Sequence, residues 1–281
     1  MIETATETVI STNRQPDVHG RLHTNGRSAA DALVWPHPQA RPPQNLPDND
    51  GAKMESPWHF KNATLLLANY IAANDTQPEE CYIGANMFIY YSQKQVKHQH
   101  FKGPDLFIVR NVDRSRPRRY WANWEEGGRL PNVIIELLSQ STRRYDLTDK
   151  KDFYEQVFAT DEYFCVDPEV KTLLGWRHDG SRYRPILPDA RGWLWSEQIA
   201  LWLGPWQGHY FTEEHTWLRL YHPDGQLVLL PEEAERQRAN TAEQRANTAE
   251  QRADTAEQAL LSERQRVAAL LAEIDRLKAQ Q

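Results

Sequence analysis

A glutamate inside an apolar segment is the first residue whose type could support chemistry. Glu136 lies within VIIELL, residues 133–138, and this run predicts a central strand that is buried on both faces. An ionised carboxylate is costly there unless it is paired, hydrogen-bonded or bound to a metal ion. The position therefore indicates either a functional carboxylate or a buried ion pair, for which Arg143 or Arg144 offers a partner.

A second carboxylate, Asp105, opens the predicted strand DLFIVR directly after Pro104. An aspartate after proline is also common at turns, so Asp105 alone indicates little. On neighbouring strands, Asp105 and Glu136 could hold one hard divalent cation, Mg²⁺ or Mn²⁺, and the backbone carbonyl of Leu137 could add a third ligand. The pair therefore predicts a metal site whose carboxylates are catalytic.

A lysine follows the second carboxylate along the chain. A predicted helix begins near Asp146 or Thr148, which places Lys150 in its first turn, although Lys151 is an alternative and most lysines are simply solvated. From there the Lys150 ammonium could reach a water or a phosphate beside the metal. A metal that polarises a phosphate and activates a bound water, with a lysine that stabilises charge, suits phosphodiester hydrolysis.

Basic residues could hold a phosphate backbone near this site. The formal net charge of -6 argues against a generally basic nucleic-acid binder, yet residues 94–119 carry eight basic and only two acidic side chains. This local excess of positive charge predicts contacts with phosphates. The candidate nucleic-acid-binding residues are Arg114, Arg116, Arg118, Arg119, Arg143 and Arg144.

The elements that must position these residues follow an α/β pattern. Ser56 and Pro57 are typical of an N-cap and a first helical turn, and they predict a helix to about residue 73. The apolar, β-branched and aromatic runs predict strands at residues 81–91, 105–110, 133–138 and 162–166, with a helix at about 146–158. Shorter strand candidates follow near residues 172–178, 182–187, 193–203 and 217–230. The predicted core is therefore helix, three strands, helix, strand, with extra C-terminal strands.

Both ends of the chain differ from this domain, which we place at residues 51–230. Residues 1–50 are polar and rich in proline, which predicts a disordered arm. Residues 232–281 repeat RANTAEQ-like heptads, and with Ala239 at position a, eleven of the twelve a and d positions are apolar. This spacing predicts a long coiled-coil helix that makes a homodimer. A lone solvated helix is the alternative, because a face of alanines associates weakly.

Other features limit the location of the protein. The sequence lacks the run of about eighteen apolar residues that a membrane-spanning helix needs, and its N-terminus does not resemble a secretory signal. Cys81 and Cys165 lie in apolar, strand-like segments and are expected to be buried, reduced thiols. We therefore expect a cytoplasmic protein without a membrane partner.

Several ordered motifs resemble a known family. The segments PDLFIV, VIIELLSQSTRRYDLTDKKDFYEQ and DEYFCVDP, with ESPWH and GANMFIYY upstream, are similar to the Uma-type restriction endonuclease family of the PD-(D/E)XK nuclease superfamily. The resemblance covers about residues 51–230 and implies a restriction-endonuclease-like fold with a Mg²⁺-type site at Asp105, Glu136 and Lys150. The superfamily usually has a lysine two residues after the glutamate, where this chain has Leu138. The resemblance implies that Lys150, on the following helix, takes that place.

Together these observations predict a divalent-metal-dependent DNA endonuclease with a coiled-coil tail. One alternative is a catalytically inactive module of the same fold that binds nucleic acid or a partner protein. Another is a scaffold whose functional part is the coiled coil. Metal binding that requires Asp105 and Glu136 would separate the first hypothesis from the second.

Overall fold

A computed structural model describes residues 56–74, 81–92 and 101–278. The predicted arm, residues 1–50, lies outside the described residues. Three helices are described: α1 (Pro57–Ala73), α2 (residues 143–158) and α3 (Pro231–Lys278). The strands are β1 (Cys81–Ala85), β2 (Ile89–Tyr90), β3 (Leu106–Arg110), β4 (Trp121–Ala122), β5 (Val133–Leu137), β6 (Glu162–Val166), β7 (Leu173–His178), β8 (Tyr183–Pro185), β9 (Leu194–Ser196), β10 (Leu201–Tyr210) and β11 (Glu213–Tyr221).

The main sheet has six strands in the order β1-β3-β5-β6-β7-β8. Strands β5 and β6 are parallel and are connected through α2, whereas every other neighbouring pair in this sheet is antiparallel. Strands β9, β10 and β11 form a second, antiparallel sheet, and β2 and β4 form a short parallel pair. The predicted α/β class and the order helix, three strands, helix, strand are confirmed, with two short strands added.

Strands β5 and β6 form the centre of the sheet. All five residues of each are buried, as the continuous apolar run VIIEL predicted for β5. Aromatic residues of α2, among them Phe153, Tyr154 and Phe158, pack on the same core cluster as Ile134 and Cys165. The core therefore holds α2 against the two strands that flank the candidate site.

Helix α1 begins where the sequence predicted it. Ser56 is the N-cap and accepts a hydrogen bond from the His59 N–H, while Pro57 occupies the first turn. Two buried asparagines on this helix bind β11 of the second sheet. Asn62 accepts from the Leu218 N–H, and Asn69 accepts from the Arg219 side chain and the Leu220 N–H. Ser56 thus caps the start of α1, and the two asparagines hold the helix against β11.

Helix α2 begins earlier than predicted, and this changes the place of Lys150. The helix starts at Arg143, not at Asp146 or Thr148, and it alternates α-helical and π-helical turns, with Asp146–Lys150 and Tyr154–Phe158 in the wider π form. Asp146 is buried within the helix and binds Lys150 instead of capping the helix. An ion pair one turn along the same helix has therefore replaced the capping role that an aspartate often has.

The chain divides after Val228 into two units, each described by itself. The second contains α3, a single helix of 48 residues with no buried residue, which confirms the predicted C-terminal helix. The coiled coil and the exact domain limits stay predictions. In the part of the chain that is described, no helix combines the length and the apolar character needed to cross a membrane.

Candidate active site

Asp105 and Glu136 face each other at one end of the main sheet. Strands β3 and β5 pair with Leu106 opposite Ile135, and the same register sets Asp105 opposite Glu136. The Leu137 N–H donates to Asp105 Oδ2 at 2.7 Å, and the Asp105 N–H lies 3.4 Å from Glu136 Oε2. Two carboxylates that are 31 residues apart in sequence therefore lie on adjacent strands, as predicted.

Lys150 joins these carboxylates from helix α2. Its Nζ lies 3.0 Å from Glu136 Oε2 and 2.8 Å from Asp146 Oδ1. One turn further along, Tyr154 donates its hydroxyl to Glu136 Oε1 at 3.1 Å. Asp146, Lys150 and Tyr154 are spaced by four residues, so one face of α2 supplies all three side chains. Of these three, only Lys150 was assigned to the site from the sequence, although Asp146 and Tyr154 lie in the same family motif, residues 133–156.

The structure also distinguishes between the possible cationic partners of Glu136. Arg143 and Arg144 are exposed, and the cation that pairs with Glu136 is Lys150. The Lys151 ammonium lies 3.9 Å from the carboxylate of Glu155 and 5.4 Å from the centre of the Trp176 ring, so it lies on another face of α2. Lys150 is therefore the lysine that contacts Glu136.

The cluster concentrates negative charge in a buried place. Burial raises the pKa of Glu136 to about 8; Lys150 opposes this rise, while the carboxylates of Asp105 and Asp146 add to it. Burial also raises the pKa of Asp105, against the effects of Lys150 and of the Leu137 N–H. Burial alone would lower the pKa of Lys150, but the three carboxylates raise it. One ammonium thus contacts two carboxylates and lies near a third, and a proton or a further cation would relieve the repulsion among the three.

A second buried lysine lies near the cluster. Lys102 is 7% exposed and donates to the Tyr145 hydroxyl at 3.1 Å, with the Phe153 ring centre 4.5 Å away. Burial, and then the nearby Lys150 ammonium, lower the pKa of Lys102 to about 8. The sequence showed Lys102 only as one member of a basic segment. Its place near the cluster depends on a contact across 43 residues, which no local pattern indicates.

The predicted nucleic-acid-binding arginines fall into two groups. Arg116 and Arg118 both bind the buried carboxylate of Glu126. The Arg118 side chain is only 4% exposed and lies over the rings of Tyr82 and Trp121. These contacts hold the loop between β3 and β5 in place. Arg118 therefore has a structural role in this loop, and its predicted role in phosphate binding stays a prediction.

The other arginines are more accessible. Arg119, Arg143 and Arg144 are exposed and Arg114 is partly exposed. Arg143 and Arg144 open α2, the helix that carries Lys150. A role for these four residues and for Arg116 in nucleic-acid binding stays a prediction.

The donor set suits a magnesium-type cation better than a transition metal. Among the described residues, no cluster of three or more His, Cys, Asp or Glu side chains has an arrangement that could hold a metal. Mg²⁺, however, is commonly bound by one or two carboxylates, with water and substrate phosphate as the remaining ligands. The carboxylates of Asp105 and Glu136 supply hard oxygens of this kind, and the buried excess of negative charge around them favours a dication. The residues therefore fit such an ion.

The carbonyl of Leu137, predicted as a third ligand, has a protein partner. His59 of α1 donates its Nε2–H to this oxygen at 2.5 Å. His59 is 7% exposed, and its Nδ1 lies 2.8 Å from Ser56 Oγ. Neither His59 nor Ser56 was singled out as a site residue from sequence, although both lie in the ESPWH motif.

Comparisons with known proteins agree with the motifs. A family model named Uma2, with the description "Putative restriction endonuclease", matches residues 50–206. No curated protein matches the chain. Among solved structures, a "putative nuclease belonging to DUF820" from Anabaena variabilis is 11% identical, with a TM-score of 0.38, over 53% of this chain and 76% of that one. This score is too low to support an inference about fold or function.

The family match includes Asp105, Glu136 and Lys150, and it spans more than half of the 281 residues. The resemblance that the motifs indicated is therefore confirmed, and the chain belongs to the Uma2 family.

Proposed function

We propose that the chain is a divalent-metal-dependent DNA endonuclease that hydrolyses phosphodiester bonds at Asp105, Glu136 and Lys150. The observation that supports this most is the contact of Lys150 Nζ with Glu136 Oε2 at 3.0 Å, directly beside Asp105. Two carboxylates and a lysine in mutual contact are a suitable set for metal-assisted phosphoryl chemistry. The family description supports a nuclease of restriction endonuclease type.

Each side chain has a distinct role in the proposed reaction. A bound Mg²⁺ or Mn²⁺ would polarise the scissile phosphate and lower the pKa of a neighbouring water. Asp105 and Glu136 would hold the ion together with the Leu137 carbonyl. The Lys150 ammonium would stabilise negative charge on the phosphate oxygens as the water attacks. Tyr154, which donates to Glu136 Oε1, keeps that carboxylate in orientation.

Exposed arginines support DNA as the substrate. Arg143 and Arg144 lie at the start of the helix that carries Lys150, and Arg119 is exposed on the loop after β3. One guanidinium group can bind two phosphate oxygens at once. Such contacts position a nucleic-acid backbone without recognising its base sequence. We assign Arg114, Arg116, Arg119, Arg143 and Arg144 to this task.

The two neighbouring lysines of α2 allow a matched test. Nicking of supercoiled plasmid is measured with Mg²⁺ or Mn²⁺ for the wild type, Lys150→Met and Lys151→Met, all purified identically. We expect nicking that depends on the metal and is lost in Lys150→Met but retained in Lys151→Met. Equal activity in the two variants would point to a contaminating nuclease or to another site, and would contradict the assignment.

A catalytically inactive module of the same fold is the second candidate, and one feature favours it. In the described site, Lys150 already pairs with Glu136 and Asp146, and the Leu137 carbonyl already accepts from His59. A site satisfied in this way could serve structure alone while the arginines bind nucleic acid. The two candidates differ in metal binding, because the inactive module should not need Asp105 or Glu136 to bind Mn²⁺.

We also propose that α3 pairs with a second copy of itself. The a and d side chains of its last heptads are about half exposed on the single helix: Leu260, Val267, Leu270, Ile274 and Leu277. Their burial in a homodimer would remove apolar surface from water, and a symmetric pair of sites could cut both DNA strands. Sedimentation equilibrium of the full chain with Leu270→Glu and Ile274→Glu should give half the wild-type mass. An unchanged mass would contradict this pairing.

A further inference from the structure

The backbone of Leu137, the last residue of β5, opens toward the candidate site. Its N–H binds Asp105 Oδ2, whereas the next N–H, that of Leu138, binds β6. In a strand the N–H and the C=O of one residue point to the same side, so the Leu137 carbonyl also points toward β3. The register of β3 and β5 would set Leu137 opposite Pro104, which has no N–H to donate. The sequence thus leaves this carbonyl without a donor from the sheet.

An imidazole from α1 supplies the donor instead. His59 Nε2 lies 2.5 Å from the Leu137 oxygen, across 78 residues of sequence. A carbonyl can only accept, so Nε2 carries the proton. Nδ1 then faces Ser56 Oγ at 2.8 Å, and the same Ser56 oxygen caps α1 by accepting from the His59 N–H. Trp58 packs edge-on against the imidazole. The ring is therefore held on three sides and has little freedom to turn.

This arrangement fixes both polar atoms of the Leu137 backbone at the edge of the carboxylate pair. A carbonyl oxygen has two lone pairs, so the bond from His59 still leaves one lone pair for another partner. His59 is also close enough to Asp105 to lower its pKa, although burial outweighs that effect. The bond from His59 thus attaches α1 to the sheet at the residue whose N–H binds Asp105 and which follows Glu136.

We propose that His59 is a positioning residue of the metal site: its Nε2–H orients the Leu137 carbonyl so that this oxygen can be the third protein ligand of a divalent cation held by Asp105 and Glu136. Ser56 in turn holds the imidazole. The inference rests on the proposed function, because it assigns a support to the same site. Groups that orient metal ligands through hydrogen bonds typically change metal affinity by about 10- to 100-fold when they are removed.

The test measures Mn²⁺ binding to the full chain without DNA, by the electron paramagnetic resonance signal of free Mn²⁺. His59→Leu removes the donor, whereas His59→Gln keeps an N–H near the position of Nε2. We expect Mn²⁺ affinity to fall about 10- to 100-fold in His59→Leu and to return to within about threefold of wild type in His59→Gln. Ser56→Ala should weaken binding by a few-fold, since the ring loses one of its three contacts. Circular dichroism melting of each metal-free variant shows that the chain is folded.

Other results would overturn the inference. Wild-type Mn²⁺ affinity in His59→Leu would show that His59 only attaches α1 to the sheet. Weak binding in both His59 variants would show that the imidazole itself is a ligand. Normal Mn²⁺ binding with lost plasmid nicking in His59→Gln would indicate a proton-transfer role. Failure of the proposed function has a different signature, because Glu136→Gln would then bind Mn²⁺ as tightly as the wild type.

Discussion

Two buried glutamates, on the adjacent parallel strands β5 and β6, have opposite surroundings. Glu136 and Glu162 are both fully inaccessible to solvent. Arg177 binds Glu162 through two nitrogens at 3.0 Å. The Ser196 hydroxyl and the backbone N–H groups of Glu197 and Gln198 also donate to it. The protein thus satisfies Glu162 from two other segments, β7 and the β9 region.

Glu136 is satisfied less completely. Its ammonium partner, Lys150, is shared with Asp146, and its other donors are the Tyr154 hydroxyl and a long contact from the Asp105 N–H. Two further carboxylates lie close enough to raise its pKa. Arg177, the partner of Glu162, is also shared, but its second carboxylate partner, Glu197, is exposed. Burial of a carboxylate is therefore not by itself a sign of function. What distinguishes Glu136 is repulsion that the chain leaves in place and that a dication would relieve.

The largest expected effect separates the two glutamates by activity. Glu136→Gln should reduce metal-dependent plasmid nicking by more than about 100-fold, because the amide removes a charged ligand. Glu162→Gln, assayed well below its melting temperature, should nick within a few-fold of wild type. Similar losses in both variants would mean that the difference between the two surroundings has no functional meaning.

The same two variants should differ in stability in the opposite direction: Glu162→Gln should be less stable than the wild type, and Glu136→Gln should not. Glu162→Gln removes the buried charged acceptor of Arg177, Ser196 and two backbone N–H groups, while Arg177 keeps the exposed carboxylate of Glu197. It should lower the free energy of unfolding by about 1.5 to 3 kcal/mol. The folded pKa of Glu136 is raised, so its ionisation favours the unfolded state as pH rises from 4.5, its ordinary value, to about 8. The neutral amide in Glu136→Gln should therefore not lower stability at pH 7. Urea unfolding at pH 7 measures both changes, and a larger loss in Glu136→Gln would contradict the comparison.

The sequence predicted that Glu136 is buried, but it did not indicate that Glu162 is buried as well. VIIELL is apolar on both sides of Glu136, so the carboxylate had to be buried within a strand. EYFCV begins with Glu162, and a charged residue at the first position of a strand is compatible with exposure. Its burial depends on Ser196 and the residues after it, more than 30 positions away. The order of elements along the chain followed from local patterns, because apolar runs and turns indicate where strands and helices lie. The same patterns placed Asp105 and Glu136 on neighbouring strands.

Contacts between segments that are distant in sequence could not be predicted from local patterns. The bond from His59 to Leu137 joins α1 to β5, and no periodicity links these two positions. Arginine is a residue type that often binds phosphate, but the Arg118 side chain forms an ion pair with Glu126. The predicted start of α2 was wrong, because aspartate is a common N-cap residue, whereas the Asp146 carboxylate pairs with Lys150 four residues later. In each case a contact made in the folded chain overrides the role that the residue type alone would favour.

A third prediction concerns protons that are bound at the site. With its pKa near 8, Glu136 holds a proton at pH 7 that a metal ion must displace. Mn²⁺ binding should therefore release about one proton at pH 7 and almost none at pH 9, and affinity should rise about tenfold per pH unit below pH 8. Isothermal titration calorimetry in buffers of different ionisation enthalpy gives the proton count. The release should persist in Glu162→Gln and disappear in Glu136→Gln.

The smallest expected effects come from removing one hydroxyl beside each glutamate. Tyr154→Phe takes a donor from Glu136 Oε1, and Ser196→Ala takes a donor from Glu162. Loss of a hydrogen bond to a buried carboxylate typically costs about 1.5 to 3 kcal/mol when the charged form is the one that is stabilised. Glu162 keeps Arg177 and two backbone donors, so Ser196→Ala should lower stability by about 1 kcal/mol without changing nicking.

Tyr154→Phe should behave differently, because Glu136 can respond by holding its proton more tightly. Loss of the hydroxyl raises the pKa of Glu136 further, since a bond that favours the charged form is removed. The pH at which Mn²⁺ binding becomes strong should therefore move upward, and nicking at pH 7 should slow by several-fold and recover toward pH 9. A Tyr154→Phe enzyme whose pH profile matches that of Ser196→Ala would show that the two glutamates are held in equivalent ways, and the contrast between them would no longer indicate where the chemistry takes place.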